Sequence, residues 1–319
     1  MTATRQARPI TFDQPDALRF LPEGPYSLRE SVISWVAIAH GSQASEGSLN
    51  ILDLARGSNQ SFLLPGRPGF AFPCRTEGKF VIGCERSLGL FDSSRGAWEP
   101  FCEGIDEDVT GTIINDGMVF EDNLIFGTKD LQFATKKAGL YLYRGQDQQL
   151  IRLRADQICS NGKAIRRDAD DGLELVDIDS PTRQIVSYAI DIEAGTLSEG
   201  EVLLDLTSDP AVPDGAIITP DDKHIIVSMF LPQAAEYGET RMYDLATGEL
   251  KCVWQTPGSP QNTCPALVRH EGKIQLLITT AVENMTADDQ KMCPNAGRLF
   301  IAEIEIDDPP NLLAPVFPA

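Results

Sequence analysis

Six times along the chain a short polar turn is followed by an apolar run rich in β-branched residues, and the turns recur at nearly constant intervals. They lie at Glu30, Gly78, Asp122, Asp171, Asp222 and Gly272, with spacings of 48, 44, 49, 51 and 50 residues. The runs that follow, among them Ser31–Ile38, Asn123–Gly127, Lys223–Ser228 and Lys273–Ile278, have the length and composition of β-strands. A second marker recurs about 20 residues later in most repeats, a strand closing on Asp-x-x-x-Gly, which reverses the chain by ordinary turn chemistry. It appears as Asp53 to Gly57, Asp92 to Gly96, Asp191 to Gly195 and Asp244 to Gly248. Leu140–Tyr143 before Arg144-Gly145, and Leu299–Ala302, hold the corresponding places in the third and sixth repeats. Both markers count to six. Short strands repeated at this interval are what a four-stranded propeller blade requires, so the chain is predicted to be all-β, a six-bladed β-propeller of four-stranded antiparallel blades filling residues 1–319 as one domain.

Composition agrees and narrows the function. The 26 Gly and 21 Pro interrupt most windows long enough for a helical stripe, and no Pro/Ser-rich stretch could serve as a domain linker. With 27 Lys and Arg against 47 Asp and Glu, the net charge of −20 repels phosphate backbones and anionic membrane surfaces. Neither nucleic acid nor membrane is expected as a partner. No run approaches the roughly 20 apolar residues of a membrane span, and Met1–Arg8 lacks the apolar region of a signal peptide. The expectation is a soluble, cytoplasmic protein. Seven cysteines, odd in number and without a C-x-x-C pair, read as reduced and mostly buried thiols.

The innermost strand of a propeller blade faces the central axis, so equivalent residues near its start converge. Reading back 7 to 10 residues from the turn markers gives Pro22-Glu23-Gly24-Pro25, Asn115-Asp116-Gly117, Ser160-Asn161-Gly162 and Pro213-Asp214-Gly215. These are expected in the loops that lead into the inner strands, with the glycines allowing a tight turn that aims the polar side chain inward. Two carboxylates and two carboxamides form an all-oxygen set suited to a hard cation such as Ca²⁺ or Mg²⁺.

With these motifs in order, the chain resembles the SMP-30/gluconolactonase/regucalcin-like group of six-bladed propellers over nearly its whole length. Further carriers are Gly127-Thr128, Ile178-Asp179-Ser180, and Asp191 with Gly195–Ser198. The resemblance implies that Glu23, Asn161 and Asp214 hold one divalent cation, Ca²⁺ first, with Zn²⁺, Mg²⁺ and Mn²⁺ as alternatives. It implies that Asn115 contacts substrate or the water beside the metal, and that Asp214 doubles as general base. The activity so implied is hydrolysis of a small lactone, a sugar lactone in that group. Where sugar lactonases of the group commonly carry an Arg, two residues before the Asn of Asn-Asp-Gly, this chain has Ile113. Lys129 or Asp130 is then a substitute polar contact at the mouth. The rival reading is a calcium- or ligand-binding propeller without turnover, and a third is a platform for protein partners. Oligomeric state is left open.

Other features carry less chemistry. No Gly-x-Ser-x-Gly elbow accompanies His40, His224 and His270, and Gly66–Gly69 is not followed by the Lys-Ser or Lys-Thr of a phosphate loop. Cys264 falls at the inner-strand phase of the sixth repeat and is expected to line the channel as an unreactive thiol. The acidic run Glu103–Asp108 and the polar excursion between Met285 and Met292 read as solvated loops.

Overall fold

Val32–Ala37 is buried at every position and Asn123–Asp130 likewise, so these strands must be covered on both faces. Strands of that kind read as continuous apolar runs because they lie between two other layers. By contrast Ser58–Leu63, the fourth strand of the same sheet as Val32–Ala37, is largely exposed. This gradient within one sheet is what a blade packed between blades produces.

The computed structural model describes residues 2–167, 172–306 and 315–319. Six sheets follow one another in chain order, antiparallel except where the first residues join blade five. Blade one is Pro22–Arg29, Val32–Ala37, Ser48–Asp53 and Ser58–Leu63. Blade two is Pro68–Pro73, Lys79–Cys84, Ser87–Asp92 and Ala97–Cys102, and blade three is Thr112–Phe120, Asn123–Asp130, Ala138–Arg144 and Gln149–Gln157. Blade four is Ser160–Arg167, Leu173–Asp179 and Gln184–Asp191, whose outer side pairs with both Thr196–Leu197 and Glu201–Asp205. Blade five is Val212–Ile218, His224–Phe230, Tyr237–Asp244 and Leu250–Pro257. Blade six has Asn262–His270, Lys273–Thr280 and Phe300–Glu303, and takes its outer strand from Arg8–Pro9. The fold class is a six-bladed β-propeller. The Asp-x-x-x-Gly turns fall between third and fourth strands, as their sequence chemistry predicts: Gly57 N, Gly195 N and Gly248 N donate to the carbonyls of Asp53, Asp191 and Asp244. The turn marker Asp171 lies outside the described residues.

The chain divides into two compact units of three blades each: Met1–Arg67 with Pro210–Ala314, and Pro68–Asp209 with Pro315–Ala319. In the first, Trp35, Ile33 and Leu52 of blade one pack on Val268, Leu277 and Ile301 of blade six. Ile226 and Trp254 of blade five cover the opposite face of blade six at Leu276, Ile278 and Phe300. In the second unit Ile125, Leu140 and Leu142 of blade three meet Leu175 and Ile190 of blade four. Phe70, Phe126 and Tyr141 run in series between blades two and three, with centroid separations of 6.0 and 5.5 Å.

Two expectations are corrected. The Glu103–Asp108 run is not a solvated loop throughout, because Ile105 and Asp106 are buried and Asp106 Oδ1 accepts a 2.6 Å hydrogen bond from the Tyr141 hydroxyl. Arg86 holds the same segment through the Ile105 and Val109 carbonyls. The excursion after Met285 contains a short helix, Ala287–Met292, started by a reciprocal Thr286/Asp289 capping box. None of the seven cysteines forms a disulfide, and all but Cys102 are buried. Among the described residues no helix is long and apolar enough to cross a membrane.

The repeat pattern did not anticipate what the first residues do. Ala3–Gln6 adds to blade five in parallel with Cys252–Gln255, and Arg8–Pro9 completes blade six against Ile301 and Phe300. The backbone between them is pinned by Ala7 N to Gln255 O and Ile10 N to Leu299 O, both 2.8 Å. Removing residues 2–9 would bare the edges of two sheets at once. Such a deletion is expected to lower the midpoint of thermal unfolding by about 10 °C or more and to promote aggregation; an unchanged melting curve would show the strands to be decorative.

Candidate functional site

The first strand of every blade breaks register against the second at the same place. In blade one Glu23 pairs with Val36 and Tyr26 with Ser34, so three steps on one strand match two on the other. The same extra residue lies between Ile114 and Gly117, Asn161 and Ala164, Pro213 and Ala216, and Asn262 and Pro265. Blade two breaks between Pro68 and Phe70. Such bulges bend a strand and re-aim a side chain. Glu23, Asn115, Asn161 and Asp214 therefore sit within the inner strands, at the bulges, and not in the loops ahead of them. All four are buried, at 5–8% exposure.

In the first unit the first strand of blade six lies against those of blades one and five. Its bulge residues Thr263 and Cys264 connect the two carboxylate-bearing bulges. Thr263 Oγ1 donates to Pro22 O at 2.7 Å, next to Glu23, while a Cβ on Gly215, next to Asp214, would come within 2.7 Å of Cys264 Sγ. Gly215 is thus required for close approach, whereas Gly24, at φ 49°, is required for its left-handed backbone. Thr279 backs the arrangement, accepting from Cys264 N at 3.1 Å and bonding Thr263 Oγ1 at 2.8 Å. Cys264 sits at the inner-strand position its phase predicted.

In the second unit the two carboxamides meet. Asn115 Nδ2 donates to Asn161 Oδ1 at 2.7 Å and to Ser160 O at 2.9 Å, and Asn161 Nδ2 donates to Ser180 Oγ at 2.8 Å. Cys159 Sγ accepts longer contacts from both amides, 3.7 and 3.5 Å. Gly69, in the bulge of blade two, presses on this strand so closely that a Cβ there would lie 2.5 Å from Asn115 O. Next along, burial pushes the Asp116 carboxyl above the ordinary range, with the charge of Lys163 opposing. Cys159 had no distinct signal beyond flanking Ser160-Asn161-Gly162, whereas Ser180 stands in the Ile178-Asp179-Ser180 stretch that carried the resemblance but was given no role of its own. Lys163 and Asp177, an ion pair enclosed behind Asn161, were missed because they face each other across two strands.

Lys129 and Asp130 end the second strand of blade three, where Lys129 pairs with Ile113 on one side and bridges Cys159 on the other. That places Lys129 next to Cys159, whose thiol the Asn115 amide reaches, while Asp130 pairs with Thr112. The Lys129 side chain is buried with Nζ 5.9 Å from the centre of the Phe133 ring. Asp130 organises the following loop: Oδ2 accepts from Ala134 N, Thr135 N and Thr135 Oγ1, Oδ1 accepts from Gln132 N, and Lys137 Nζ lies 2.9 Å from Oδ1. The loop presents Leu131 and Phe133 at the surface. Ile113 is buried and apolar, so nothing at that position offers a charge.

The sequence profile of the SMP-30/Gluconolactonase/LRE-like region matches residues 21–282, well over half of the chain. Among curated proteins, Bacillus subtilis (strain 168) YvrE, whose name assigns it to the sugar lactone lactonases, is 29% identical over 181 residues, 56% of this chain and 57% of its own length. An uncharacterised Sulfolobus acidocaldarius protein is 38% identical over 92 residues, 29% of this chain and 32% of its own. The matched stretches thus span no more than about three fifths of those relatives. Among solved structures, a calcium-binding protein, regucalcin, from Agrobacterium tumefaciens aligns over 100% of this chain and 99% of its own at TM-score 0.80 and 22% identity. A gluconolactonase from Xanthomonas campestris aligns over 93% and 89% at TM-score 0.63 and 15% identity. At these identities the structural likeness establishes the fold.

The loop after Asp130 has a defined pH signature. Burial alone would raise the Asp130 pKa, but Lys137 and the amides of Gln132, Thr135 and Ala134 outweigh it and hold the carboxyl below its ordinary range. A depressed carboxylate pKa contributes stability above the unfolded value near pH 4 and loses it only as acid passes the lower native value. Hydrogen exchange in residues 131–137 is therefore expected to stay equally protected, after correction for intrinsic rates, between about pH 5 and pH 8, and Asp130→Asn to expose the same amides at neutral pH. Unchanged protection in the variant would show that the loop is held otherwise.

Proposed function

The chain belongs to the SMP-30/gluconolactonase/LRE-like family, and from that premise we propose that it is a lactonase opening a small lactone, a sugar lactone by resemblance, with Glu23, Asn161 and Asp214 holding one divalent cation. The observation that supports this most is positional. Each of these residues, and Asn115 with them, lies at the bulge of its own blade's first strand and is buried there: Glu23 and Asn161 as the last paired residue before the register break, Asp214 and Asn115 as the first residue inside it. A turn residue has no reason to be enclosed beside the same break in four blades.

The donor chemistry fits a hard cation. Among the described residues no three His, Cys, Asp or Glu side chains cluster as a metal site, so a cation bound here draws on the Asn161 carboxamide oxygen as well as on carboxylates. That oxygen already accepts one bond from Asn115 and keeps a second lone pair. Ca²⁺ suits the set best, and Mg²⁺, Mn²⁺ and Zn²⁺ remain compatible with it. When bound, the cation supplies the Lewis acidity that polarises a lactone carbonyl.

The protein's own groups do the rest. The Asp214 carboxylate takes a proton from water as the water oxygen bonds to the carbonyl carbon; the ring C–O bond then breaks, and the ring oxygen leaves with the proton as a hydroxyl. The product is a hydroxy acid. Asn115 commits its amide protons to Asn161 and Ser160, which leaves its carboxamide oxygen for a substrate hydroxyl. Lys129 is the proposed polar contact beside it, and Asp130 shapes the loop that covers Lys129.

Ile113 favours a second reading, a calcium- or ligand-binding propeller without turnover, because a buried isoleucine cannot grip a polyhydroxylated ring. Proton release in a pH-stat separates the two, using a panel of aldonolactones and simple lactones and EDTA-stripped protein refilled with Ca²⁺, Mg²⁺, Mn²⁺ or Zn²⁺ in turn. Metal-dependent release is expected for at least one lactone. Asp214→Ala should lose about 10³-fold or more in turnover and bind metal more weakly, whereas Asn115→Ala should lose about 10- to 100-fold with metal affinity nearly kept. Metal binding without turnover of any lactone would install the second reading.

A further inference from the structure

Blade four encloses a lysine on its innermost strand. The Lys163 side chain is fully buried, its Nζ 3.2 Å from Oδ1 of Asp177, which is 2% exposed on the neighbouring strand. The ammonium also donates to the main-chain carbonyl of Asn161 at 2.9 Å, two residues back across the bulge. Asp177 in turn accepts from Gln157 Nε2 and, at 3.4 Å, from Ser160 Oγ. A buried ion pair is a poor device for stability alone, since two apolar side chains of similar volume usually serve as well or better. What this pair adds is direction. Asn161 is then held at its carboxamide by Asn115 and Ser180 and at its carbonyl by Lys163.

We infer that Lys163 is a positioning residue: with Asp177 as counterion, it clamps the Asn161 carbonyl and so fixes the bulge that aims the Asn161 carboxamide. The functional consequence rests on the lactonase reading above, in which Asn161 is a ligand; the geometric content does not. Asp177 also neutralises a positive charge that would otherwise oppose a cation at the same bulge.

The test uses the full chain and three variants, Lys163→Met, Asp177→Asn and the double change. Each is read by thermal unfolding, by the ¹⁵N–¹H signals of the Asn161 and Asn115 side-chain amides, by calorimetry with Ca²⁺ alone, and by lactone turnover. Either single change leaves a buried charge unpaired and is expected to lower the melting point, and the double change to recover most of it. A merely structural pair would stop there. The proposal requires that the double variant, though stable again, keep displaced Asn161 amide signals, bind Ca²⁺ at least tenfold more weakly and lose at least tenfold in kcat. Wild-type amide signals in the double variant would overturn it, as would wild-type Ca²⁺ affinity. If the unaltered protein neither binds Ca²⁺ nor opens a lactone, the lactonase reading falls, and the amide signals by themselves decide whether Lys163 positions Asn161.

Discussion

One extra residue in each inner strand is the constraint on which the rest of the molecule depends. Side chains on a strand alternate with a period of two, so an unbroken inner strand would send every second side chain into the neighbouring blade and leave no freedom over which residue faces where. A bulge breaks that alternation at one point. In blades one and four the break directly follows Glu23 and Asn161, in blades three and five it takes in Asn115 and Asp214, and on either side of it the strand returns to ordinary pairing, with partners such as Val36, Phe126, Val176 and Val227. The same device in blade six turns Thr263 and Cys264 into the spacer between two carboxylate-bearing strands. Polar chemistry is thereby inserted into a packed β-structure without interrupting its core.

The sequence showed the blades because covering both faces of a strand requires an apolar run, and an apolar run with a polar turn is visible wherever it stands. It showed the bulge residues as well, through glycine next to a polar side chain, but assigned them to loops. Asn-Gly and Asp-Gly are common to turns and bulges alike, and only the register of the partner strand tells them apart. Arg8–Pro9 and Ala3–Gln6 were invisible for another reason: they are short and mostly polar, and their partners at Phe300–Ile301 and Cys252–Gln255 lie some 250 to 290 residues away. Asp106 was hidden by its neighbours, since four acidic residues within six read as solvated until Tyr141 is found to cover one of them. The helix after Met285 was legible in principle, from Thr286 followed three residues later by an acid, yet at six residues it is shorter than any periodic pattern can reveal.

Charge is arranged at two scales that should not be confused. The net −20 belongs to the whole surface and acts over a Debye length, discouraging polyanions without selecting a ligand. Inside, charges come in compensated sets. Asp177 faces Lys163 at 3.2 Å and Asp130 faces Lys137 at 2.9 Å, each with several hydrogen bonds besides. Such pairing is what allows carboxylates to be buried at all. It also means that the inner bulges are not simply acidic.

Separation of two tasks follows from the architecture. Residues at the bulges are fixed by strand pairing on one side and by the next blade on the other, and Gly69 and Gly215 show how little room is left: a single methyl group would strike Asn115 O or Cys264 Sγ. The loop between the second and third strands of blade three is held more lightly. The segment from Lys129 to Lys137 is held by one carboxylate and ends in exposed Leu131 and Phe133. Strands fixed in this way tolerate little change, whereas a loop of this kind can vary without disturbing the packed core. In this chain Ile113, buried and apolar, pairs with Lys129 at the end of the second strand, so the charges at this edge of blade three come from Lys129 and from the loop that Asp130 builds.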